Sequence, residues 1–123
     1  MPQLRRAGAI ALSTALFVLF WTICNSVING AYAVDHDMVE AYVWGKEFQF
    51  GYYKHPPFWA WAAGGWFSVF PTTLWAFALL SAVNAAIGLL GTYALAGSFL
   101  ERDHRLSAVT LLLLTPFYTL LAF

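Results

Sequence analysis

Two long apolar runs dominate the chain, and a polar segment separates them. Residues 7–34 contain no charged side chain, and residues 56–100 contain none either. An apolar stretch of about 20 residues is long enough to cross the hydrocarbon core of a bilayer as an α-helix. We therefore predict a first transmembrane helix at about residues 8–28 and a second at about residues 73–100.

Shorter segments predict further helices. Residues 37–49 have the composition of a short amphipathic surface helix, and residues 58–70 are apolar but too short to span a bilayer. Both belong to a predicted external loop, residues 35–70, whose helices lie beside the membrane. Residues 101–105 predict a tight charged turn, and a third span begins within residues 106–123.

Composition agrees with a membrane protein. Hydrophobic residues make up 61% of the 123 residues and charged residues only 10%, whereas charged residues make up about 25% of a typical soluble domain. The formal net charge is zero, so the chain has no general basic field for nucleic acid. The predicted fold class is therefore all-α, a polytopic transmembrane helical protein with one membrane domain over residues 1–123.

The basic residues predict the orientation of the spans. Lys46 and Lys54 lie in the loop between the first two spans, whereas the arginines lie at the other ends of those spans: Arg5, Arg6, Arg102 and Arg105. Arginine and lysine are enriched on the cytoplasmic side of membrane proteins. With four basic residues against two, the amino terminus is predicted to be cytoplasmic and residues 35–70 to be outside.

A cleavable signal peptide is an alternative for the amino-terminal run. Arg5 and Arg6, the apolar region and the Ala31-Tyr32-Ala33 triplet resemble such a peptide with its small-residue cleavage site. The apolar region of a signal peptide has about 7–15 residues. The longer run here favours a transmembrane helix.

The segment from Asp35 to Trp61 concentrates the polar chemistry of the chain. It contains four of the six acids, two of the six basic residues and two of the three histidines. Asp37 and Glu40 are three residues apart and share one face of a helix. Lys54 and His55 directly precede two prolines, which fix the backbone and hold the preceding side chains in an extended turn.

Each of these features also has a purely structural interpretation. Asp37 and Glu40 can form a capping box at the start of a helix, and Lys54 can reach phosphate headgroups from a solvated corner. The aromatic residues fit an interfacial belt: Tyr52, Tyr53, Trp59 and Trp61. Cys24, the single cysteine, fits a small buried apolar residue.

The same segment contains residue types that bind metal ions. Asp35, His36, Glu40 and His55 offer suitable ligand atoms, but their spacing matches no zinc signature. The sequence therefore predicts no metal site.

Two motifs in this segment resemble a known family. Residues 37–44 have the pattern D-x-x-E-A-Y-x-W, and residues 51–57 have the pattern G-Y-Y-x-H-P-P followed by tryptophan. In this order beside a membrane helix they resemble the first external loop of the GT-C type membrane glycosyltransferases that use polyprenyl-phosphate sugars. That superfamily includes the dolichyl-phosphate-mannose protein mannosyltransferases and the lipid A aminoarabinose transferases. The resemblance covers roughly residues 8–100 and is most specific over 37–61.

The resemblance implies roles for five residues. Asp37 or Glu40 would be the catalytic acid, and both stay candidates, because many relatives have an adjacent Asp-Glu pair where this chain has Val39-Glu40. The residues that would bind the carrier phosphate are Tyr53, Lys54 and His55. No cofactor is implied.

The implied activity is transfer of a sugar from a polyprenyl-phosphate donor to a lipid, glycan or protein acceptor at the external face of the inner (plasma) membrane. Catalytic modules of the family are several-fold longer. We therefore expect this chain alone to be an inactive amino-terminal portion, whose partners are the remaining helices of the same enzyme or an oligomeric partner, together with membrane lipid. Two alternatives remain: a small non-enzymatic membrane protein that binds lipid carrier or stabilises a partner, and a secreted factor released by signal cleavage.

Overall fold

The computed structural model of the chain describes residues 2–31 and 36–115. Every regular element in those two ranges is helical, which confirms the all-α expectation. The α-helices are α1 (Pro2–Ile28), α2 (His36–Gly45), α3 (Pro57–Phe67), α4 (Leu74–Ala96) and α5 (Arg102–Leu113), and a 3₁₀ turn, Asn29–Ala31, extends α1. The part of the predicted third span beyond residue 115 lies outside the described residues.

Helices α1 and α4 are the long apolar elements. Gly8–Ile28 within α1 and Leu74–Ala96 are each long and apolar enough to cross a membrane. Almost none of α1 is buried by the rest of the chain, and it exposes a run of large apolar side chains, among them Leu12, Leu16, Leu19, Phe20 and Ile23. An apolar surface of that extent requires contact with lipid or with another apolar surface.

The two long helices pack against each other through small residues of α4. Its buried positions follow helical spacing and are mostly alanine: Ala78, Ala82, Ala85, Ala86 and Leu89. Small side chains allow the backbones of neighbouring helices to approach closely. Two polar or small residues of the same helix, Asn84 and Gly91, are exposed, and Gly91 has open space beside it.

Helices α2 and α3 form a separate hairpin. Helix α2 ends at Gly45, earlier than the predicted end at residue 49, and Phe48 adopts a left-handed φ of 47° that redirects the chain. Gly45 is buried because α3 crosses directly over it at Gly64. Pro57 occupies the first turn of α3, where the missing N–H of proline costs no helical hydrogen bond.

Aromatic contacts fix the hairpin to the start of α4. The ring of Phe77 lies 4.4 Å from that of Phe67 on α3 and 6.5 Å from that of Tyr42 on α2, centroid to centroid. The indole of Trp66 donates a hydrogen bond of 3.0 Å to the carbonyl of Ala76. The polar segment is therefore held at the amino-terminal end of α4.

The charged segment after α4 differs from the prediction. The sequence predicts a turn over residues 101–105, but α5 already begins at Arg102, and the turn lies over residues 97–100. Nη2 of Arg105 donates a hydrogen bond of 3.2 Å to the carbonyl of Gly97. A basic side chain near the end of a helix can satisfy carbonyl groups that have no partner within the helix. The contact from Arg105 therefore ties α5 to the carboxyl end of α4.

Candidate functional site

The hairpin brings together four polar side chains that are distant in sequence. Asp37 and Glu40 lie on α2, and Lys54 and His55 directly precede α3. We call these four residues the acid–base cluster. Nζ of Lys54 lies 3.3 Å from Oδ1 of Asp37 and 3.5 Å from Oε2 of Glu40. One ammonium group therefore bridges both carboxylates.

His55 faces the same carboxylate from a different direction. Its Nε2 lies 3.8 Å from Oε2 of Glu40, too far for a hydrogen bond. The atom is inaccessible to solvent and has no hydrogen-bond partner within the described residues. The imidazole contacts two indoles that also contact each other: its ring lies 4.7 Å from that of Trp59 and 5.9 Å from that of Trp44, and the two indoles are 6.2 Å apart.

Glu40 and Asp37 have different surroundings. The side chain of Glu40 is 20% exposed, and its second oxygen, Oε1, lies 3.5 Å from Nε2 of His36. The side chain of Asp37 is 58% exposed. Asp37 is thus the carboxylate that a dissolved or membrane-bound molecule would reach, whereas Glu40 lies among three nitrogen-bearing side chains.

Stacked aromatic rings support the loop that carries Lys54 and His55. The rings of Trp44 and Tyr52 are nearly parallel, with centroids 5.2 Å apart. The Tyr52 hydroxyl donates to the carbonyl of Trp44 at 2.8 Å and accepts from the amide of Gln49 at 2.9 Å. Nε1 of Trp61 donates to the Gln49 carbonyl at 2.9 Å. These bonds fix the loop against α2 without using a residue of the cluster.

The charge of Lys54 is stabilised by its neighbours. Its hydrogen bond to Asp37, together with the negative charges of Asp37 and Glu40, raises the pKa of the Lys54 ammonium above the ordinary value of 10.5. Lys54 therefore remains protonated across the physiological pH range. In this arrangement its charge is directed at the carboxylates.

Four of the five predicted site residues are brought together, and one is not. Tyr53 is fully exposed and lies outside the cluster, whereas the ring of its neighbour Tyr52 stacks on that of Trp44. Asp37 lies within the first turn of α2 (His36–Gly45), and its side chain contacts Lys54. Glu40 contacts Lys54 and the histidines instead of completing a capping box.

Three further residues lie at this site. The sequence named His36 only as a candidate metal ligand and Trp59 only as part of an aromatic belt, and it gave no separate role to Trp44. His36 lies four residues before Glu40, a helical spacing that predicts their contact. Trp44 follows Glu40 by the same four residues, so the two side chains lie on one face of α2. Trp59 follows His55 by four residues, but Pro56 and Pro57 lie between them, so no helical rule applies across that interval. Both indoles contact the imidazole and each other.

Comparison with known proteins gives no relative for this chain. No protein-family model, no curated protein and no solved structure matches it.

Proposed function

We propose that this chain is part of a membrane glycosyltransferase that moves a sugar from a polyprenyl-phosphate donor to an acceptor hydroxyl at the outer face of the plasma membrane. The observation that carries the proposal is the acid–base cluster, in which two carboxylates and two basic side chains meet beside two potential membrane spans. The motif resemblance over residues 37–61 supplies the reaction class.

The chemistry needs a base on one side of the sugar and positive charge on the other. The acceptor oxygen attacks the anomeric carbon, the bond from that carbon to the phosphate oxygen breaks, and the electron pair leaves with the polyprenyl phosphate. The proton of the acceptor hydroxyl passes to a carboxylate, which acts as general base. We assign this role to Asp37, because it is the more exposed of the two acids.

The remaining cluster residues would act on the donor. Negative charge develops on the leaving phosphate, and a fixed cationic donor stabilises it by several kcal/mol. Lys54 supplies such a donor when its half-exposed side chain turns from the carboxylates to the phosphate. His55, directly before the proline pair, is the second phosphate contact that the motif resemblance implies. Glu40 would orient the basic side chains, since it contacts both Lys54 and His55.

The spans support the proposed setting. The exposed apolar surface of α1 provides a face for lipid and for further transmembrane helices, from the same enzyme or from an oligomeric partner. The proposed location is the inner membrane, with several spans and a cytoplasmic amino terminus.

The test is a transfer assay in membranes that contain the gene product as the cell makes it. A polyprenyl-phosphate donor with a radiolabelled sugar is added, and label in the acceptor fraction is measured over time. We expect transfer in wild-type membranes, a large loss with Asp37→Asn, and no loss with Glu47→Gln, a nearby acid that contacts Gln49 instead of the cluster. Equal transfer by wild type and Asp37→Asn would contradict the assignment, and an absence of transfer from any such donor would contradict the proposed function.

A further inference from the structure

A cavity lies where the carboxyl end of α1 meets the start of α4, next to α2, and we propose that it binds a water molecule held by the side-chain amide of Asn25. The volume of the cavity is about 30 Å³. Three polar side chains line it: Asn25 from α1, Asn29 from the 3₁₀ turn that follows, and Ser81 from α4. The rest of the lining is Met38 of α2 and apolar side chains in the first two turns of α4.

The Asn25 side chain is the reason to expect a ligand in this cavity. Only 8% of the residue is exposed, and its Nδ2 atom is buried without a hydrogen-bond partner within residues 2–31 and 36–115. Its other amide atom is engaged, because Oδ1 accepts a hydrogen bond of 3.0 Å from Nδ2 of Asn29. Buried polar atoms in folded proteins nearly always have a partner. The amino group of Asn25 therefore needs an acceptor that the described residues do not supply.

The position of Asn25 makes that need stronger. The residue lies within Gly8–Ile28, the part of α1 that is long and apolar enough to cross a membrane. Within the hydrocarbon region of a bilayer, no bulk water pairs with a free polar group, and ordered waters inside the protein take that role. An acceptor for Asn25 must therefore be held by the protein itself.

The chemistry of the cavity selects a small neutral acceptor. An amide N–H is a donor and does not ligate a metal cation, and none of the described residues that line the cavity carries a charge that would balance an anion. A volume of about 30 Å³ exceeds the roughly 10–15 Å³ that one water needs, but it is too small for a sugar or a lipid headgroup. Buried waters typically make about three hydrogen bonds, and the polar lining offers Asn25, Asn29 and Ser81.

The water links elements that have no direct hydrogen bond at this point. Nδ2 of Asn25 has no partner, so it makes no bond to Ser81 across the cavity. Polar side chains on neighbouring transmembrane helices commonly hydrogen-bond to each other, and here one water makes that connection between α1 and α4. Met38, the α2 residue in the lining, directly follows Asp37. The site therefore ties both long helices together beside the helix that carries the two acids.

The experiment detects the water by NMR on the full 123-residue chain in dodecyl maltoside micelles, with ¹⁵N in its three asparagines, Asn25, Asn29 and Asn84. A rotating-frame Overhauser spectrum is recorded between water and the side-chain amides. In such a spectrum, a bound water and chemical exchange with bulk water give cross-peaks of opposite sign. We expect a bound-water cross-peak at Asn25 and none at Asn84, the control, which is exposed on α4. Asn25→Leu and Asn84→Leu assign the resonances.

Two substitutions of Ser81 locate the water. Ser81→Ala removes the hydroxyl, which exchanges with bulk water and relays magnetisation, but it keeps the cavity, so the Asn25 cross-peak should persist. Ser81→Leu also removes the hydroxyl and fills the cavity, so the cross-peak should be lost. Circular dichroism verifies the folding of each variant, and the wild-type spectrum decides the result if a variant does not fold.

Four results would overturn the inference: no bound-water cross-peak at Asn25 in the wild type, its loss in folded Ser81→Ala, its persistence in folded Ser81→Leu, or a cross-peak from Asn25 to detergent headgroup protons in place of water. The last result would assign the cavity to a lipid-like molecule. No sugar donor or acceptor takes part in the measurement, so its outcome is independent of the proposed transfer, which the radiolabel assay tests.

Discussion

Gly45 and Gly64 meet backbone to backbone where α2 crosses α3. A Cβ atom added to Gly45 would lie 2.5 Å from the Ala60 carbonyl oxygen and 2.6 Å from the Gly64 amide nitrogen, and one added to Gly64 would meet the Gly45 carbonyl. Real Cβ atoms do not approach backbone atoms so closely. The two glycines therefore set the distance between the helix that carries Asp37 and Glu40 and the one that follows Lys54 and His55.

The first prediction is that alanine at either glycine separates the hairpin. Gly45→Ala and Gly64→Ala should each lower the free energy of unfolding by roughly 1–3 kcal/mol, the usual cost of overpacking. The measurement is thermal melting in detergent, followed by tryptophan fluorescence.

Gly65→Ala is the matched control. It lies on the same helix, one residue on, with open space at its Cβ position. Alanine has the better helix propensity there, and the substitution should stabilise by roughly 0.5–1 kcal/mol. If all three variants melted alike, the close contact of α2 and α3 would be wrong.

The glycine contact shows where sequence reasoning stops. The long apolar runs that became α1 and α4, and the short apolar segment between prolines that became α3, could be predicted because length and periodicity depend on neighbouring residues alone. The crossing joins Gly45 and Gly64, which are 19 positions apart in the sequence. Glycine has no side chain from which a contact between the two could be predicted. The end of α2 lies at that crossing, four residues before the predicted end at residue 49.

The same limit applies to the candidate site. Asp37 and Glu40 could be placed on one helical face by their spacing, and the prolines placed Lys54 and His55 at a corner. Their distance from each other depends on how α2 packs on α3, which no local rule gives. The resemblance implies a role for Tyr53, whereas of the two adjacent tyrosines it is Tyr52 whose hydroxyl contacts anchor the loop, and a local pattern does not distinguish adjacent identical residues.

The second prediction concerns the ionisation of Lys54. Because the hydrogen bond to Asp37 and the charges of Asp37 and Glu40 raise the pKa of Lys54, the contact stabilises the fold fully below the unfolded pKa near 10.5. The contribution is lost as pH rises through the higher folded pKa. Asp37→Asn should therefore move the Lys54 midpoint down towards the ordinary value.

The measurement is a pH titration by NMR of the chain labelled with ¹³C at lysine Cε. The chain has only two lysines, Lys46 and Lys54, and Lys54→Arg assigns the resonances by removing one of them. Glu47→Gln should leave the Lys54 midpoint in place. A midpoint that does not change in Asp37→Asn would contradict the ion pair.

The third prediction is the orientation of α4. At about 1.5 Å per residue, its 23 residues extend about 35 Å, enough for a hydrocarbon core of about 30 Å. Gly51, in the loop between α2 and α3, and Ser98, just after α4, are exposed and should lie on opposite sides of the membrane, with Gly51 outside. In a Cys24→Ser background, Gly51→Cys should react with an impermeant maleimide in right-side-out vesicles, and Ser98→Cys only in inverted ones. Reaction of both from one side would exclude the span.

The fourth prediction separates the two acids within the proposed transferase. Asp37→Asn keeps the shape of the side chain but removes the proton acceptor, and loss of a general base typically costs 10² to 10⁴ in rate. Asp37 is the more exposed acid, so its replacement should change the melting temperature little while transfer falls by that factor. The measurements are the transfer rate in membranes and the melting temperature in detergent.

Glu40→Gln distinguishes a positioning role from a catalytic one. Glu40 contacts His36, Lys54 and His55, so neutralising it should lower the melting temperature and reduce transfer less than Asp37→Asn does. Without Glu40, the basic side chains that meet the phosphate lose their support, so Glu40→Gln should also raise the donor concentration needed for half-maximal transfer. Loss of the base in Asp37→Asn should instead lower the maximal rate and leave that donor concentration unchanged. If Glu40→Gln abolishes the maximal rate while Asp37→Asn retains it, the base is Glu40, and Asp37 serves to hold Lys54.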